Sequence, residues 1–168
     1  MSLLKNNNWL YKSFIHDIKD FPKPGITFKD IQPLLANPVV FDSAIKEMSN
    51  LVQKPDYWIG VDSRGFIMAS SLSINTGIGL KLIRKKDKLP PPVTSISYDL
   101  EYGSDIIELQ PGKGNVVIVD DVYATGGTME AAEKLCKEAG YNVIDKLVLI
   151  DLCFLHPITN IKSLIKYE

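Results

Sequence analysis

Apolar positions along the chain follow two periods, and the change from one to the other marks its organisation. Near the start, Trp9, Leu10, Phe14, Ile15 and Ile18 recur roughly on one helical face and predict a helix over 8–19. The stretch Phe21-Pro22-Lys23-Pro24-Gly25 breaks that pattern. A second helix follows, with Asn37 as its cap, Pro38 at its first position, and Phe41, Ala44, Ile45, Met48 and Leu51 on one face. From residue 57 the apolar runs become short and nearly continuous. Strands are predicted at 57–61, 80–83, 116–119 and 143–152. Helices fall between them at 65–75, stopped by Gly77, and at 127–139, with Leu135 inward and Gly140 at its end. Repeated strand-helix-strand order with continuously apolar strands predicts an α/β fold, a central, mainly parallel sheet flanked by helices on both faces.

Residues 85–114 break this rhythm. They are charged and rich in Pro and Gly, and they hold a possible hairpin of 95–102 against 106–110. Long segments of this kind are usually functional. In open parallel sheets ligands bind at the carboxyl ends of the strands, and both this segment and the opening one connect to that edge.

Composition narrows the class. The 168 residues are 45% hydrophobic and 23% charged, which suits a single domain, 1–168, with a sizeable core. A formal net charge of −1 gives no global field for nucleic acid, so any anion site must be local. Cys136 and Cys153 lack CxxC spacing and read as buried free thiols. His16 and His156 have no metal-ligand partners in sequence and read as structural. No apolar run reaches the length of a membrane span, and the N-terminus lacks a signal peptide's pattern. A cytoplasmic enzyme or binding protein, with no membrane partner, is expected.

The chemistry concentrates in VVIVDDVYATGGT, residues 116–128. The helix that begins after Gly126 leaves backbone N–H groups unpaired and carries about half a unit of positive charge. Ala124, Thr125, Gly126, Gly127 and Thr128 supply small side chains, close backbone approach and two hydroxyls, a cradle for a phosphate. The lysine of GxxxxGK[ST] is missing, and so is GxGxxG, which disfavours a nucleoside triphosphatase or a dinucleotide site. Asp120 and Asp121 would repel phosphate but suit a sugar diol and a nearby Mg²⁺. Together the two halves describe a phosphorylated ribose.

The same stretch resembles the phosphoribosyl diphosphate signature of the type I phosphoribosyltransferase family. DFPKPGITFKDIQPLL at 20–35 is similar to the base-recognition segment of the members that act on adenine. IGVDSRGF at 59–66 resembles their pyrophosphate loop; IRKKDKLPPP at 83–92 and SYDLEYG at 97–103 resemble their basic strand end and mobile catalytic hairpin. The likeness runs in order through nearly the whole chain. It implies an N-terminal hood over 1–35, a core over 36–168 with a flexible loop at about 86–114, and a homodimer. The implied reaction joins adenine to 5-phosphoribosyl 1-diphosphate, giving AMP and diphosphate. Mg²⁺ is the implied cofactor, near Asp120 and Asp121 through water rather than by direct ligation.

The resemblance also implies roles residue by residue. Asp62, Ser63 and Arg64 follow a strand and open a helix, a second anion site where Arg64 forks onto pyrophosphate oxygens. A cis peptide is implied near Asp62-Ser63. Arg84, Lys85 and Lys88 are candidates for pyrophosphate neutralisation, whereas Lys86 reads as solvated. Glu101, with Arg64, is the catalytic candidate, for proton handling at the purine. Tyr98 and Tyr102 would exclude water when the loop closes. Phe28 would stack on adenine, with Thr27 and Lys29 reading the ring edge largely through backbone groups. Three features depart from the family pattern. Lys29 stands where arginine is common, 108–116 is short, and Val122-Tyr123 replaces a pair of leucines. Two other readings keep the fold: a transferase for another nucleobase, and a non-catalytic phosphoribosyl diphosphate sensor. The lack of a DNA-binding module and of basic surface weighs against the sensor.

Overall fold

Buried side chains along the strand Asn115–Tyr123 enter two cores in turn, and that alternation reveals the layering. Val117 and Val119 enter one core and Val116 and Ile118 enter another, on the opposite face of the sheet. The computed structural model describes residues 8–100 and 103–168. In chain order the elements are α1 (Asn8–Lys12), β1 (His16–Lys19), β2 (Thr27–Asp30), α2 (Gln32–Ala36), α3 (Pro38–Ser49), β3 (Tyr57–Val61), α4 (Gly65–Thr76) and β4 (Gly79–Lys85). β5 (Thr94–Leu100), β6 (Gly103–Leu109), β7 (Asn115–Tyr123), α5 (Gly127–Glu138), β8 (Asn142–Leu152) and β9 (Lys162–Tyr167) follow.

The main sheet has the order β5-β6-β4-β3-β7-β8-β9. β4, β3, β7, β8 and β9 are mutually parallel, and β5 and β6 join antiparallel at one edge. One core gathers Tyr11, Leu34, Met48, Met68 and Leu72 from α1 to α4 over one face. The other gathers Leu135 and Cys136 of α5 with Ile96, Ile107 and Leu109 of the β5–β6 hairpin. Both faces are covered, which is why the central strands read as unbroken apolar runs. After β3 the chain crosses through α4 to β4 on one side, and it returns to β7 on the other. The connections therefore diverge at the carboxyl ends of β3 and β7 and leave a crevice there.

Local chemistry agrees with the helix limits. Asn37 Oδ1 accepts from the N–H groups of Val39 at 3.2 Å and Val40 at 3.1 Å, capping α3, while Pro38 needs no partner. Gly77 ends α4 in the left-handed region, φ 69°.

Several sequence expectations are corrected. The helix predicted over 8–19 stops at Lys12, because His16–Lys19 pairs with Thr27–Asp30 as a separate two-stranded sheet. Ile18 is exposed and opposite Phe28, so the apparent helical stripe was shared between two elements. The possible hairpin of 95–102 against 106–110 is instead paired one step earlier, with Thr94 opposite Leu109 and Tyr98 opposite Asp105. The strand predicted at 116–119 runs on to Tyr123, because β8 continues alongside it. Both aspartates are thus held within the ladder. β9 was not foreseen; its lysines suit an edge strand. Cys136 is buried, and burial pushes its thiol up to about 12, but Cys153 is partly exposed. Among the described residues no helix is long and apolar enough to cross a membrane.

One close approach positions the site. A Cβ on Gly65 would lie 2.7 Å from the Val119 carbonyl oxygen and 3.0 Å from Asp120 Oδ1. Backbone cannot yield there, so the start of α4 rests against β7 only because residue 65 lacks a side chain. Gly65→Ala is expected to cost about 1–3 kcal/mol in urea denaturation. Gly127→Ala, whose added Cβ would meet nothing within 4 Å, is expected to be neutral or slightly stabilising in the same measurement.

Candidate active site

The phosphate-like cradle forms where β7 gives way to α5. Gly126 takes φ 96° before the first helical residue, a conformation that favours glycine, and no side chain caps the helix start. The free N–H groups of that first turn point out of the helix end. A cavity of 90 Å³ opens here, lined by Asp120, Tyr123, Thr125, Gly126 and Thr128 among others. Ala124 packs against the first core, while Thr125 and Gly127 are exposed. The Tyr98 hydroxyl of β5 faces the Thr128 side chain. Burial raises the Tyr98 pKa and the Thr128 contact offsets part of that, so its hydroxyl remains protonated.

The two acids differ in their partners. Asp120 Oδ1 accepts the Asp121 N–H at 2.8 Å. The Asp121 side chain is only 6% exposed, and Arg64 Nε lies 2.8 Å from its Oδ2. That oxygen still receives no hydrogen bond, so the contact is an ion pair whose N–H is not aimed at it. An acceptor left open in this way suits a hydroxyl donor or a cation. Burial, then the Asp121 charge, pushes the Asp120 carboxyl well above the usual range. Burial also raises Asp121, against the opposing pull of Arg64.

Arg64 immediately precedes α4 and follows an Asp62-Ser63 peptide that is cis, as the family resemblance implies. Its guanidinium carbon stands 4.8 Å from the centre of the Phe28 ring, within cation–π reach. Arg64 therefore touches both the sugar-type acid and the aromatic of the opening segment. Asp62 points elsewhere: its Oδ2 accepts from Arg84 Nε at 3.3 Å and from the Lys85 N–H at 3.4 Å. It acts on the basic strand end by orienting Arg84. Ser63 is exposed at the loop. Lys85 Nζ pairs with Asp105 Oδ2 at 3.0 Å, and that carboxylate holds its pKa up. Lys88 is exposed in the turn after β4, and among the described residues it forms no ion pair.

On β2, neighbouring side chains point to opposite faces. Phe28 meets the ring of Phe21 edge-on at 5.3 Å. Lys29 is buried, with Nζ 2.7 Å from Asp17 Oδ1 and 3.8 Å from the centre of the Tyr167 ring. Its side chain is thus committed to β1 and β9, and only its backbone is left for reading a ring edge. Thr27 is exposed. Glu101 and Tyr102 lie outside the described residues.

Sequence reasoning missed three contributors. Asp105 restrains Lys85, and its place opposite Tyr98 emerges only once the hairpin register is known. Glu108 is buried and takes the Asp87 N–H at 3.1 Å and the Ser95 hydroxyl at 3.3 Å, which fixes the base of the hairpin. Asp151 and His156 form a pair behind the phosphate turn; no spacing in the chain announces it.

Comparison with known proteins adds a consistent picture. The phosphoribosyl transferase domain matches residues 32–152. The adenine phosphoribosyltransferase of Bdellovibrio bacteriovorus is 48% identical over 162 residues, covering 93% of this chain and 98% of that protein. The one from Synechococcus sp. is 46% identical, covering 86% of each. Among solved structures, adenine phosphoribosyltransferase from Thermoanaerobacter pseudethanolicus superposes with a TM-score of 0.87 at 37% identity, over 95% of this chain and 99% of that one. The Saccharomyces cerevisiae enzyme, complexed with adenine and an imino-altritol bisphosphate, gives 0.82 at 34% identity, over 94% and 97%.

The raised carboxyl of Asp120 has a consequence for stability. A carboxyl whose pKa rises on folding imposes no cost below its unfolded value; the cost is complete once pH exceeds the folded value. Asp120→Asn keeps an acceptor for the Asp121 N–H and removes the charge. Its melting temperature without ligand is therefore expected to exceed that of the parent at about pH 8, and the gain should vanish towards about pH 4. Scanning calorimetry at the two pH values checks the sign.

Proposed function

The chain belongs to the phosphoribosyl transferase family, among its adenine phosphoribosyltransferases, and on that premise we propose that it salvages adenine, converting it with 5-phosphoribosyl 1-diphosphate to AMP and diphosphate. One observation carries the reading for this chain's own residues. Arg64 lies 2.8 Å from Asp121 and 4.8 Å from the Phe28 ring, so the groups suited to sugar, diphosphate and base adjoin one another.

In this reading the 5-phosphate sits on the N–H groups and hydroxyls of Thr125 to Thr128. The ribose hydroxyls donate to Asp120 and Asp121, which fills the open acceptor on Asp121 Oδ2. Adenine lies on Phe28, with backbone groups of Thr27 and Lys29 at its edge. Adenine N9 attacks the anomeric carbon as the bond to the diphosphate oxygen breaks. Arg64, with Arg84 and Lys85, neutralises the charge that grows on the leaving diphosphate, and Ser63 adds a donor at the same loop. Lys88 would join them from the turn after β4. Glu101 takes part in proton handling at the purine, and Tyr98 and Tyr102 shield the reacting centre from water.

Mg²⁺ fits this donor set as a companion of the diphosphate. Among the described residues no three metal-ligating side chains converge. Mg²⁺ characteristically keeps several waters while it binds substrate phosphates, and Asp120 and Asp121 would accept hydrogen bonds from those waters. When bound it supplies charge neutralisation at the diphosphate. The reading also includes a single domain with residues 1–35 as a hood over the core 36–168, a homodimer, and a cytoplasmic setting.

The test supplies Mg²⁺, phosphoribosyl diphosphate and one free base at a time. Diphosphate release with adenine is expected. Release with guanine or hypoxanthine alone would refute the base assignment, and no release with any base would favour a non-catalytic sensor. Glu101→Ala is expected to lower kcat by about 10²–10⁴-fold with smaller changes in KM. Unchanged turnover removes Glu101 from the mechanism.

A further inference from the structure

Tyr123 stands where the family pattern that the chain resembles commonly has leucine. The residue is buried, 7% exposed, at the last position of β7. Its side chain reaches beneath the phosphate turn. A Cβ built on Gly126 would fall 2.5 Å from Tyr123 Oη and 3.0 Å from its Cζ, so the ring end fills the space under Gly126. Among the described residues no hydrogen bond engages the Tyr123 hydroxyl, which leaves packing as its present contribution.

A second layer holds the ring itself. The His156 imidazole meets it edge-on, with centroids 4.6 Å apart and planes at 84°. His156 is locked at both nitrogens: Nδ1 is 2.7 Å from the Pro157 carbonyl oxygen and Nε2 is 2.7 Å from Asp151 Oδ1. A carbonyl oxygen only accepts, so Nδ1 carries a proton, and Nε2 faces a carboxylate. Asp151 lies opposite Tyr123 in the β7–β8 ladder, so brace and ring share one backbone frame. The side chains of His156 and Asp151 are 5% and 3% exposed. Burial lowers the His156 pKa, but the Pro157 carbonyl and the Asp151 carboxylate outweigh it and leave it raised.

We propose that Tyr123, braced by the Asp151–His156 pair, is a positioning residue that sets Gly126 and thereby the backbone donors for the 5-phosphate. The inference rests on the phosphoribosyl transfer reading for the identity of the ligand. A turn has little side chain of its own to hold it, since residues 124–127 are Ala, Thr, Gly and Gly. Something beneath must define its shape, and the Tyr123 ring end lies nearer a Cβ at Gly126 than Glu130 Oε1, which stands 3.5 Å from it. Preorganised donors act through their placement, so loosening the support should weaken binding at this subsite alone.

The experiment compares the parent with His156→Ala, Tyr123→Leu, Tyr123→Phe and the His156→Ala/Tyr123→Leu double variant. Affinity for ribose 5-phosphate is measured by calorimetry without any base, and KM for each substrate is measured in turnover. His156→Ala is expected to weaken ribose 5-phosphate binding and raise KM for phosphoribosyl diphosphate by about tenfold, with KM for adenine within about twofold. Tyr123→Leu should do the same, Tyr123→Phe should lose less, and the double variant should be no worse than Tyr123→Leu alone, because His156 acts through the ring. Unchanged ribose 5-phosphate affinity in His156→Ala overturns the proposal, as do fully additive effects. If His156→Ala does not fold, His156→Gln and Tyr123→Phe decide by the same two readouts. A parent that binds ribose 5-phosphate but turns over no base would instead sink the assigned reaction and leave this inference standing.

Discussion

Two parallel strands, β3 and β7, lie side by side, and the site depends on that pairing. Their register, Tyr57 opposite Val116 through Gly60 opposite Val119, brings the Asp62–Arg64 loop beside the two aspartates. The glycine at 65 then lets α4 begin within van der Waals reach of Asp120. From there Arg64 spans to Asp121 on one side and Phe28 on the other. A shift of one residue in that register would turn the acids to the opposite face and dismantle all three contacts together.

Charge at the site is local and unevenly satisfied. The chain as a whole is nearly neutral, yet two adjacent carboxylates are held in a strand with their pKa values raised by burial. One arginine faces them without a directed hydrogen bond. This arrangement is unfavourable for an empty protein and favourable for one that receives hydroxyls or a cation. Stability given up at a functional site in this way is a common exchange.

The surrounding contacts show which predicted residues are free and which are occupied. Asp62 orients Arg84, Lys85 is tied to Asp105, and Lys29 is buried against Asp17 and Tyr167. Tyr98 places the hairpin beside Thr128 of the phosphate turn. Tyr123, a departure from the family pattern, is matched by His156 and Asp151. A substitution in a core is tolerated when its neighbours complement its shape, and here the complement arrives from a different strand end.

The sequence by itself determined the α/β class, the start of α3, the limits of β3, the helix starts that follow both anion loops, and the small, polar composition of residues 120–128. Those features depend on neighbours in the chain: apolar period, caps, glycines and adjacent charges. Tertiary structure decided what depends on pairing at a distance. It ended the first helix at Lys12 by engaging His16–Lys19 with β2, and it extended β7 through the aspartates because β8 runs beside them. It also turned the charged segment after β4 into an edge hairpin and added β9. Lys29 read as a base-edge residue largely through its backbone, and the strand's alternation adds that its side chain leaves the face of Phe28. His156 read as structural with no partner named, because Asp151 and Tyr123 become its partners only when β7 and β8 align. Local composition carries the chemistry of each group, and the register between strands decides which groups meet.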